Sequence, residues 1–192
     1  GFGANMQDLA GLAPAINDTG YVYACPNAPI PFQLGPGQTG FGWMTPRGGG
    51  TPDETANSVK LLTDFFDTVF QQFNVSPGQA LLLGFSQGGG MTYRCGLERA
   101  SDFAGLVALS ATLPDQNELV TRLPQERNQP IFIGHGRFDQ MVSDDTAQSA
   151  QSFLESNGYS PDFHIYNMAH EISGEELSDL VPWIAKVLPP KE

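Results

Sequence analysis

Short apolar runs alternate along the chain with longer stretches in which apolar residues recur at helical spacing. The apolar runs are YVYAC at 21–25, ALLLG at 80–84, GLVAL at 105–109, PIFIG at 130–134 and FHIY at 163–166. The stretches with helical spacing cover 52–73, 87–99, 143–158 and the residues from 173 onwards. Strands that alternate with helices indicate a mainly parallel sheet with helices on both faces, so the sequence predicts an α/β fold.

Two of the predicted helices begin with the same signature. Thr51 and Ser173 stand where a helix cap belongs, and each is followed three residues later by a glutamate, Glu54 or Glu176. A serine or threonine with a glutamate at this spacing is typical of a capping box, in which each side chain binds the backbone N–H of the other residue. We therefore expect both glutamates to turn back towards their caps.

The stretch between the first apolar run and the first long helix is rich in proline and glycine. Residues 26–50 read PNAPIPFQLGPGQTGFGWMTPRGGG, which predicts a long loop. Long loops in compact domains are commonly functional. No repeat or linker divides the chain, so we expect residues 1–192 to form a single domain.

Composition and charge narrow the possible functions. The 192 residues are 40% hydrophobic and 16% charged, as in a soluble globular protein. The net charge of −12 argues against nucleic acids and anionic lipid surfaces as partners, because both need basic patches. No apolar run approaches the roughly 18 residues of a membrane helix, and we expect a cytoplasmic protein. The two cysteines, Cys25 and Cys95, are expected to be small buried hydrophobic residues.

A serine between two glycines follows the ALLLG run. Residues 84–88, GFSQG, match the pattern G-x-S-x-G between a predicted strand and a predicted helix. Such a turn is so sharp that flanking side chains would collide with the backbone, and the glycines at 84, 88 and 89 remove those collisions. Ser86 then lies at a helix N-terminus, where N–H groups favour a developing negative charge. The pattern alone also fits a serine that caps an ordinary helix.

A serine hydroxyl is a weak nucleophile, so it needs a base and an acid that orients the base. His164 lies inside the FHIY strand and is expected to pack there, whereas His135 is expected to tie the turn after PIFIG. His170 follows the FHIY strand in a loop from which a base can reach the serine. Asp139, at the end of the turn HGRFD, is the candidate acid. The order Ser86, Asp139, His170 is the order found on α/β-hydrolase sheets.

A metal site is the alternative use of these polar side chains. It would combine His135, Asp139, His170 and Glu171. The segment HEISG lacks the second histidine of H-E-x-x-H, and no cysteine pair has ligand spacing. We therefore expect neither a metal nor a cofactor.

Four motifs lie in register along almost the whole chain. They are GFGANMQDLAGLAPAI at 1–16, GFSQGG at 84–89, GHGRFDQMV at 134–142 and NMAHEISGEEL at 167–177. Together they resemble the carboxylesterase, acyl-protein thioesterase and phospholipase branch of the α/β hydrolases. The resemblance implies the α/β-hydrolase fold and a serine hydrolase.

The resemblance also implies roles for individual residues. It assigns the nucleophile to Ser86, the acid to Asp139 and the base to His170. It places the two backbone N–H donors of the oxyanion hole on Phe2 and Gln87. Trp43 resembles a tryptophan of the family's loop over the acyl pocket, with Phe41 and Met44 beside it in the stretch 26–50, and local packing is the other interpretation of Trp43.

The first motif departs from the family, whose oxyanion loop normally reads H-G-x-G. The histidine and the strands that precede this loop in the family have no counterpart before Gly1. One of those strands lies in the family's sheet between the strands matching 21–25 and 80–84. Because its loss would orphan buried backbone groups, we expect an N-terminally incomplete domain, with roughly 20 to 30 residues upstream or a strand supplied by another chain.

These features predict a serine carboxylesterase that hydrolyses short to medium acyl esters through an acyl-enzyme intermediate. The expected partner is a small-molecule ester, and a homodimer is a further expectation. An acyl-protein thioesterase and a lysophospholipase are the alternatives within the same family. An inactive ligand-binding module on the same scaffold is the alternative from another class.

Overall fold

The computed structural model describes residues 1–46 and 50–191, and the chain divides into two compact units. The first unit comprises Gly1–Val75 and Pro190–Glu192, and the second comprises Ser76–Pro189. Within the described ranges, none of the helices has the length and apolar character needed to cross a membrane.

The first unit is built from short N-terminal helices, a β-hairpin and one long helix. These elements are α1 (Met6–Ala10), α2 (Ala13–Ile16), β1 (Ile30–Gly35), β2 (Gln38–Gly42) and α3 (Pro52–Phe73). Helix α3 has the bounds that its periodicity predicts, and Leu62 and Phe66 of its apolar stripe are buried. A proline at the first helical position after a threonine cap explains why α3 begins at Pro52.

The predicted loop at 26–50 instead contains the β1–β2 hairpin, so that prediction is wrong for the hairpin residues. The two strands are antiparallel, with Ile30 opposite Gly42. Pro36 and Gly37 make the turn, and Gly37 has a φ of +74°. A proline followed by a glycine in the left-handed region is typical of a tight turn. The same residues that suggested a loop therefore mark a hairpin, while residues 47–49 lie outside the described residues.

The apolar run at 21–25 does not form a strand, and this prediction is also wrong. Val22 is 71% exposed. A strand exists through hydrogen bonds to a neighbouring strand. Among the described residues, the two sheets contain only β1–β2 and the four strands of the second unit, so no strand forms a ladder with this run. Its alternating pattern is typical of a strand, but no neighbouring strand among the described residues forms hydrogen bonds along it.

The second unit alternates strands and helices, as predicted, with a further short α-helix at 116–120 that the sequence pattern did not predict. In chain order the elements are β3 (Ala80–Phe85), α4 (Gln87–Met91), β4 (Phe103–Leu109), α5 (Gln116–Val120), β5 (Ile131–Gly136), α6 (Asp144–Ser156), β6 (Asp162–Tyr166) and α7 (Gly174–Val187). Helix α4 continues into a π-helical segment, Thr92–Gly96. The strands coincide with the apolar runs from ALLLG onwards.

Strands β3 to β6 form one parallel sheet in chain order. The middle strands β4 and β5 are the most apolar, and every residue of β5 is buried. Continuous apolar runs suit parallel strands that are covered on both faces. Because all four strands run the same way, their carboxyl ends meet at one edge of the sheet. The segments after β3, β5 and β6 therefore emerge together.

Each predicted capping box forms only one of its two hydrogen bonds. The caps work, because Thr51 Oγ1 accepts from the Glu54 N–H and Ser173 Oγ accepts from the Glu176 N–H, each at 3.2 Å. The glutamate side chains, however, point elsewhere. Glu54 accepts from the backbone N–H and hydroxyl of Thr45, and Glu176 is fully buried. Contacts with distant residues replace the local bond that the spacing predicts.

Candidate active site

Ser86 occupies a strained turn between β3 and α4. Its φ of 56° and ψ of −120° lie outside the regions that residues with a Cβ favour. The Ser86 N–H donates to the Leu109 carbonyl of β4 at 2.8 Å, and the Ser86 carbonyl accepts from the Gly90 N–H at 3.2 Å. Strain of this kind persists where surrounding contacts over-determine the backbone.

Two glycines allow β3 and α4 to approach closely enough for this turn. A Cβ on Gly84 would overlap the Gly88 backbone and would lie 2.5 Å from Thr92 Oγ1. A Cβ on Gly89 would overlap the side chain of Ala111. The predicted collisions are therefore present at positions 84 and 89, and Gly88 supplies the backbone that packs on Gly84.

Asp139 lies in a turn after β5 that its own side chain closes. Its Oδ1 accepts from the backbone N–H groups of Met141 and Val142, each at 2.8 Å. An aspartate that binds the backbone two and three residues ahead forms an Asx-type turn. The side chain is fully buried, so this turn fixes the direction in which the second oxygen points.

The segment after β6 carries His170 alongside the Asp139 turn. The Phe138 N–H donates to the Met168 carbonyl at 3.0 Å. A Cβ on Gly136 would lie 2.5 Å from the Met168 carbonyl oxygen, closer than real Cβ atoms come. A glycine at 136 is therefore what allows the two segments to lie side by side.

Ser86, His170 and Asp139 form a continuous chain of hydrogen bonds, here called the Ser–His–Asp array. His170 Nε2 lies 3.0 Å from Ser86 Oγ, and His170 Nδ1 lies 2.6 Å from Asp139 Oδ2. An ionised carboxylate only accepts, so Nδ1 carries the hydrogen and Nε2 is left to accept from the serine hydroxyl. The structure brings together the three residues that the sequence singled out, and their arrangement can pass a proton from serine to imidazole.

The surroundings of Asp139 favour its ionised form. Burial by itself would raise the pKa of this carboxyl, because a charge is poorly solvated inside a protein. Hydrogen bonds from the Val142 N–H, from His170 and from the Met141 N–H outweigh burial, and the pKa lies below its ordinary value of 3.8. An ionised Asp139 holds His170 in the tautomer that the array needs.

The other two histidines take the structural positions expected of them. His164 stacks against the rings of Phe132 and Tyr166, with centroids 5.0 and 5.8 Å away. Its Nε2 lies 2.8 Å from Asp162 Oδ1. His135 is fully buried, and its Nε2 lies 2.9 Å from the Val142 carbonyl oxygen, so it ties the turn after β5.

The atoms that a metal would need are engaged with one another. The Nδ1 of His170 and the Oδ2 of Asp139 share a hydrogen bond of 2.6 Å. Over residues 1–46 and 50–191, no group of three or more His, Cys, Asp or Glu side chains is arranged to hold a metal ion.

The remaining predicted site residues divide between the two units. Gln87 opens α4, and N–H groups at a helix N-terminus project beyond the helix towards negative charge. The others belong to the first unit: Phe2, Phe41, Trp43 and Met44. The ring of Phe2 packs edge-on against Phe32 at 4.7 Å, and the Trp43 carbonyl accepts from Ser58 Oγ at 2.5 Å. Their roles in an oxyanion hole or an acyl pocket stay predictions.

The sequence did not predict three neighbours of the array. The N–H groups of Met141 and Val142 orient Asp139, and the ring of Phe85 lies 4.8 Å from that of His170. The position of Asp139 in a tight turn was a usable signal for the first two, because aspartate commonly binds the N–H groups that follow it. No local signal points to Phe85, since its contact with His170 spans two strands.

Comparisons with known proteins extend these observations. A family model described as Phospholipase/Carboxylesterase matches residues 3–188. Acyl-protein thioesterase 1 of Gibberella zeae is 30% identical over 183 residues, covering 88% of this chain and 78% of that protein. A probable carboxylesterase of Oryza sativa subsp. japonica is 29% identical over 171 residues, covering 84% of this chain and 64% of that protein.

A solved structure shows the same fold. The crystal structure of Arabidopsis thaliana SOBER1 aligns with a TM-score of 0.83 at 24% sequence identity. The alignment covers 98% of this chain and 95% of that one. The central parallel sheet and its helices therefore follow a known architecture.

Proposed function

We propose that this chain, which belongs to the phospholipase/carboxylesterase family of α/β hydrolases, is a serine carboxylesterase acting on short to medium acyl esters. One observation carries the proposal: His170 lies between Ser86 Oγ at 3.0 Å and Asp139 Oδ2 at 2.6 Å. This geometry suits acyl transfer to water through an acyl-enzyme.

In the first half of the reaction, Ser86 becomes acylated. His170 Nε2 takes the hydroxyl proton as Ser86 Oγ bonds to the ester carbonyl carbon, and the carbonyl electron pair moves to oxygen. The tetrahedral oxyanion then collapses, the bond to the alcohol oxygen breaks, and His170 gives its proton to the departing alcohol. Asp139 stays ionised throughout and stabilises the imidazolium.

In the second half, water takes the place of the alcohol. His170 removes a proton from water as the water oxygen bonds to the acyl carbon of the Ser86 ester. Collapse of the second oxyanion breaks the bond to Ser86 Oγ, which recovers its proton from His170. The products are a carboxylic acid and free enzyme, and the balance needs no redox or group-carrying cofactor.

The oxyanion is proposed to bind backbone N–H groups of Gln87 and Phe2. Gln87 is supported by its place as the first residue of α4, directly after Ser86. Phe2 is supported by the resemblance of residues 1–4 to the family's oxyanion loop. A donor of this kind contributes about 3 kcal/mol to transition-state stability.

Apolar esters of modest size are the proposed substrates. The side chains of Phe138 and Met141, on either side of Asp139, are 60% and 76% exposed, which gives the site an apolar border. Phe41, Trp43 and Met44 are proposed for the acyl pocket from the resemblance. A net charge of −12 gives little attraction to anionic lipid surfaces. A cytoplasmic location and a homodimer stay predictions.

Thioester hydrolysis is the second candidate, because a relative covering most of this chain is named an acyl-protein thioesterase. The array can attack either substrate, since both present an electrophilic carbonyl carbon to Ser86. The family description also includes phospholipases, which makes a lysophospholipid a third substrate class. Rates on oxygen esters, thioesters and lysophospholipids with the same acyl chain rank the three.

Labelling and mutation of Ser86 test the proposal. A fluorophosphonate probe should label Ser86, and Ser86→Ala should lower turnover of a nitrophenyl ester by roughly four orders of magnitude or more. Ser110→Ala is a matched control, because Ser110 also follows a strand with a positive φ, of 46°, and is buried. The control should stay active and labelled.

A series of nitrophenyl esters of increasing acyl length then locates the substrate range. Highest kcat/KM on short to medium chains supports the proposed carboxylesterase. A preference for long acyl chains or for thioesters would instead favour a lysophospholipase or an acyl-protein thioesterase. Absence of both labelling and turnover in the folded protein overturns the enzymatic proposal and leaves a binding module.

A further inference from the structure

His135 is a buried histidine that the proposed mechanism does not use. It lies on β5 with 0% exposure, and its Nε2 is 2.9 Å from the Val142 carbonyl oxygen. A carbonyl only accepts, so Nε2 carries a hydrogen and donates it. The Nδ1 has no hydrogen-bond partner among the described residues. Burying an imidazole with one nitrogen unpartnered is unfavourable, so a compensating benefit is expected.

Both backbone polar groups of Val142 form hydrogen bonds. Its carbonyl accepts from His135 Nε2 at 2.9 Å, and its N–H donates to Asp139 Oδ1 at 2.8 Å. His135 is therefore linked to Asp139 through Val142. Because His135 lies on β5, its hydrogen bond restrains Val142 relative to the sheet. The Val142 N–H, which donates to Asp139, is restrained in the same way.

His135 also reaches the carboxylate directly. Its Nε2 lies 3.5 Å from Asp139 Oδ2, the same oxygen that accepts from His170 Nδ1 at 2.6 Å. The hydrogen bond of Nε2 goes to the Val142 carbonyl, and at 3.5 Å the contact with the carboxylate is a weaker electrostatic attraction. Both side chains are 0% exposed, so no solvent screens this attraction.

We propose that His135 is a positioning residue, which holds Val142 and Asp139 so that Asp139 Oδ2 points at His170 Nδ1. The inference rests on the proposed function of the Ser–His–Asp array. It explains why a polar ring occupies an otherwise apolar strand, since the rest of β5 consists of Ile131, Phe132, Ile133 and glycines. A displacement of about 1 Å in such an array lowers turnover by up to 100-fold.

Two substitutions separate the donor from the ring. In His135→Gln the amide nitrogen is four bonds from Cα, as Nε2 is in histidine, so it can still donate to Val142. In His135→Asn the amide is one bond shorter and falls near the Nδ1 position, so the donor is lost. A donor-based role therefore predicts that Gln rescues what Asn removes.

The expected kinetic result is a change in kcat with little change in KM. His135→Asn should lower kcat on a nitrophenyl ester by about 10- to 100-fold, with KM within about twofold. His135→Gln should keep kcat within about threefold of wild type. His164→Asn, which changes the other strand histidine, is the matched control and should leave both constants nearly unaltered.

A spectroscopic measurement does not depend on turnover. The proton between His170 Nδ1 and Asp139 Oδ2 should give a far-downfield proton NMR signal in wild type and in His135→Gln. In His135→Asn that signal should broaden or move upfield. Wild-type protein that shows the signal but hydrolyses no ester refutes the proposed function and leaves the positioning role testable by NMR.

The proposal is overturned if folded His135→Asn keeps both wild-type kcat and the wild-type signal. It is equally overturned if the Gln and Asn variants lose kcat to the same extent, because that result indicates ring packing rather than a donor. Circular dichroism and thermal unfolding establish that each variant is folded. If His135→Asn does not fold, a folded His135→Gln with a kcat loss above about tenfold refutes the role, and near wild-type kcat supports it.

Discussion

Asp139 and Glu176 are buried carboxyl groups that both lie against β5, in contrasting surroundings. Asp139 follows the strand, and its two oxygens accept from the N–H groups of Met141 and Val142 and from His170. Glu176 projects from the first turn of α7 towards Gly134, and neither of its oxygens has a hydrogen-bond partner among the described residues. Burial raises the pKa of Glu176 to about 8, whereas the pKa of Asp139 is lowered.

Burial raises the pKa of both carboxyls, but hydrogen bonds outweigh it at Asp139, whereas Glu176 has no such bonds among the described residues. The Asp139 contribution to stability is present above its unfolded pKa of 3.8 and is lost as pH falls through the lower folded value. The Glu176 contribution has the opposite sign. It is fully present below the unfolded pKa of 4.5 and is lost as pH rises towards the folded value of about 8.

The largest expected effect comes from replacing Asp139 with its neutral isostere. In Asp139→Asn an amide N–H₂ would face His170 Nδ1, so Nδ1 must accept and Nε2 carries the hydrogen. The ring then cannot take the Ser86 proton, and kcat on a nitrophenyl ester should fall roughly ten-thousand-fold.

Asp162→Asn is the matched control for that measurement, because Asp162 also binds a histidine, with its Oδ1 2.8 Å from His164 Nε2. The control should stay within about threefold of wild-type kcat. If Asp139→Asn kept more than a tenth of the activity, the assignment of Asp139 as the orienting acid would be wrong.

The next effect is a gain in stability when Glu176 is replaced by a side chain that cannot ionise, because at pH 7 folding must otherwise protonate this carboxyl. A pKa near 8 against 4.5 in the unfolded chain means that Glu176→Gln should stabilise the protein by about 3 kcal/mol at pH 7. The gain should shrink by about 1.4 kcal/mol per pH unit towards pH 4.5. Urea unfolding at several pH values, with activity measured in parallel, provides the test.

Glu175→Gln supplies the comparison within the same helical turn. Glu175 is exposed, and a negative charge at a helix N-terminus is mildly favourable, so this change should destabilise by about 0.5 kcal/mol. If Glu175→Gln and Glu176→Gln both changed the free energy of unfolding by the same small amount, the environment of Glu176 would not be apolar and free of donors.

The smallest expected effect tests the contact between Glu176 and the sheet. A Cβ on Gly134 would overlap Glu176 Oε1 and would lie 3.0 Å from its Cδ. Gly134→Ala should therefore destabilise by about 2 kcal/mol. In a Glu176→Ala background, Gly134→Ala should destabilise by less than it does in the wild type, because the colliding carboxyl is gone.

Gly174→Ala controls for the general effect of adding a methyl group, since nothing lies within 4 Å of a Cβ there. Its free energy of unfolding should change by no more than about 0.5 kcal/mol. Strict additivity of Gly134→Ala and Glu176→Ala would contradict the contact.

Much of the fold was predictable because its signals are local. The bounds of α3 follow from Thr51, Pro52 and the apolar stripe, and the parallel strands from ALLLG onwards are continuous apolar runs. The run at 21–25 failed because a strand needs a partner, which its own residues do not encode. The β1–β2 hairpin was missed because its turn residues, Pro36 and Gly37, also suit a loop.

The candidate site was predictable in its members but not in its details. Ser86, Asp139 and His170 each follow a strand, and parallel strands bring such segments to one edge. The orientation of Asp139 depends on Val142 and His135, which the residue types alone do not reveal. The capping spacing placed Glu176 beside Ser173, whereas packing turned its carboxyl into the core.

By itself, the sequence determined the starts of α3, α4, α6 and α7, the apolar strands of the second unit, the glycine-dependent turn at Ser86 and the order of the three residues of the array. These depend on neighbours a few positions away. Only the tertiary structure decided how the side chains meet: His170 is 31 residues from Asp139 and 84 from Ser86 in the chain. It also decided that, among the described residues, donors surround Asp139 and none reaches Glu176, because the ionisation of a buried group is governed by whichever distant groups the fold places against it.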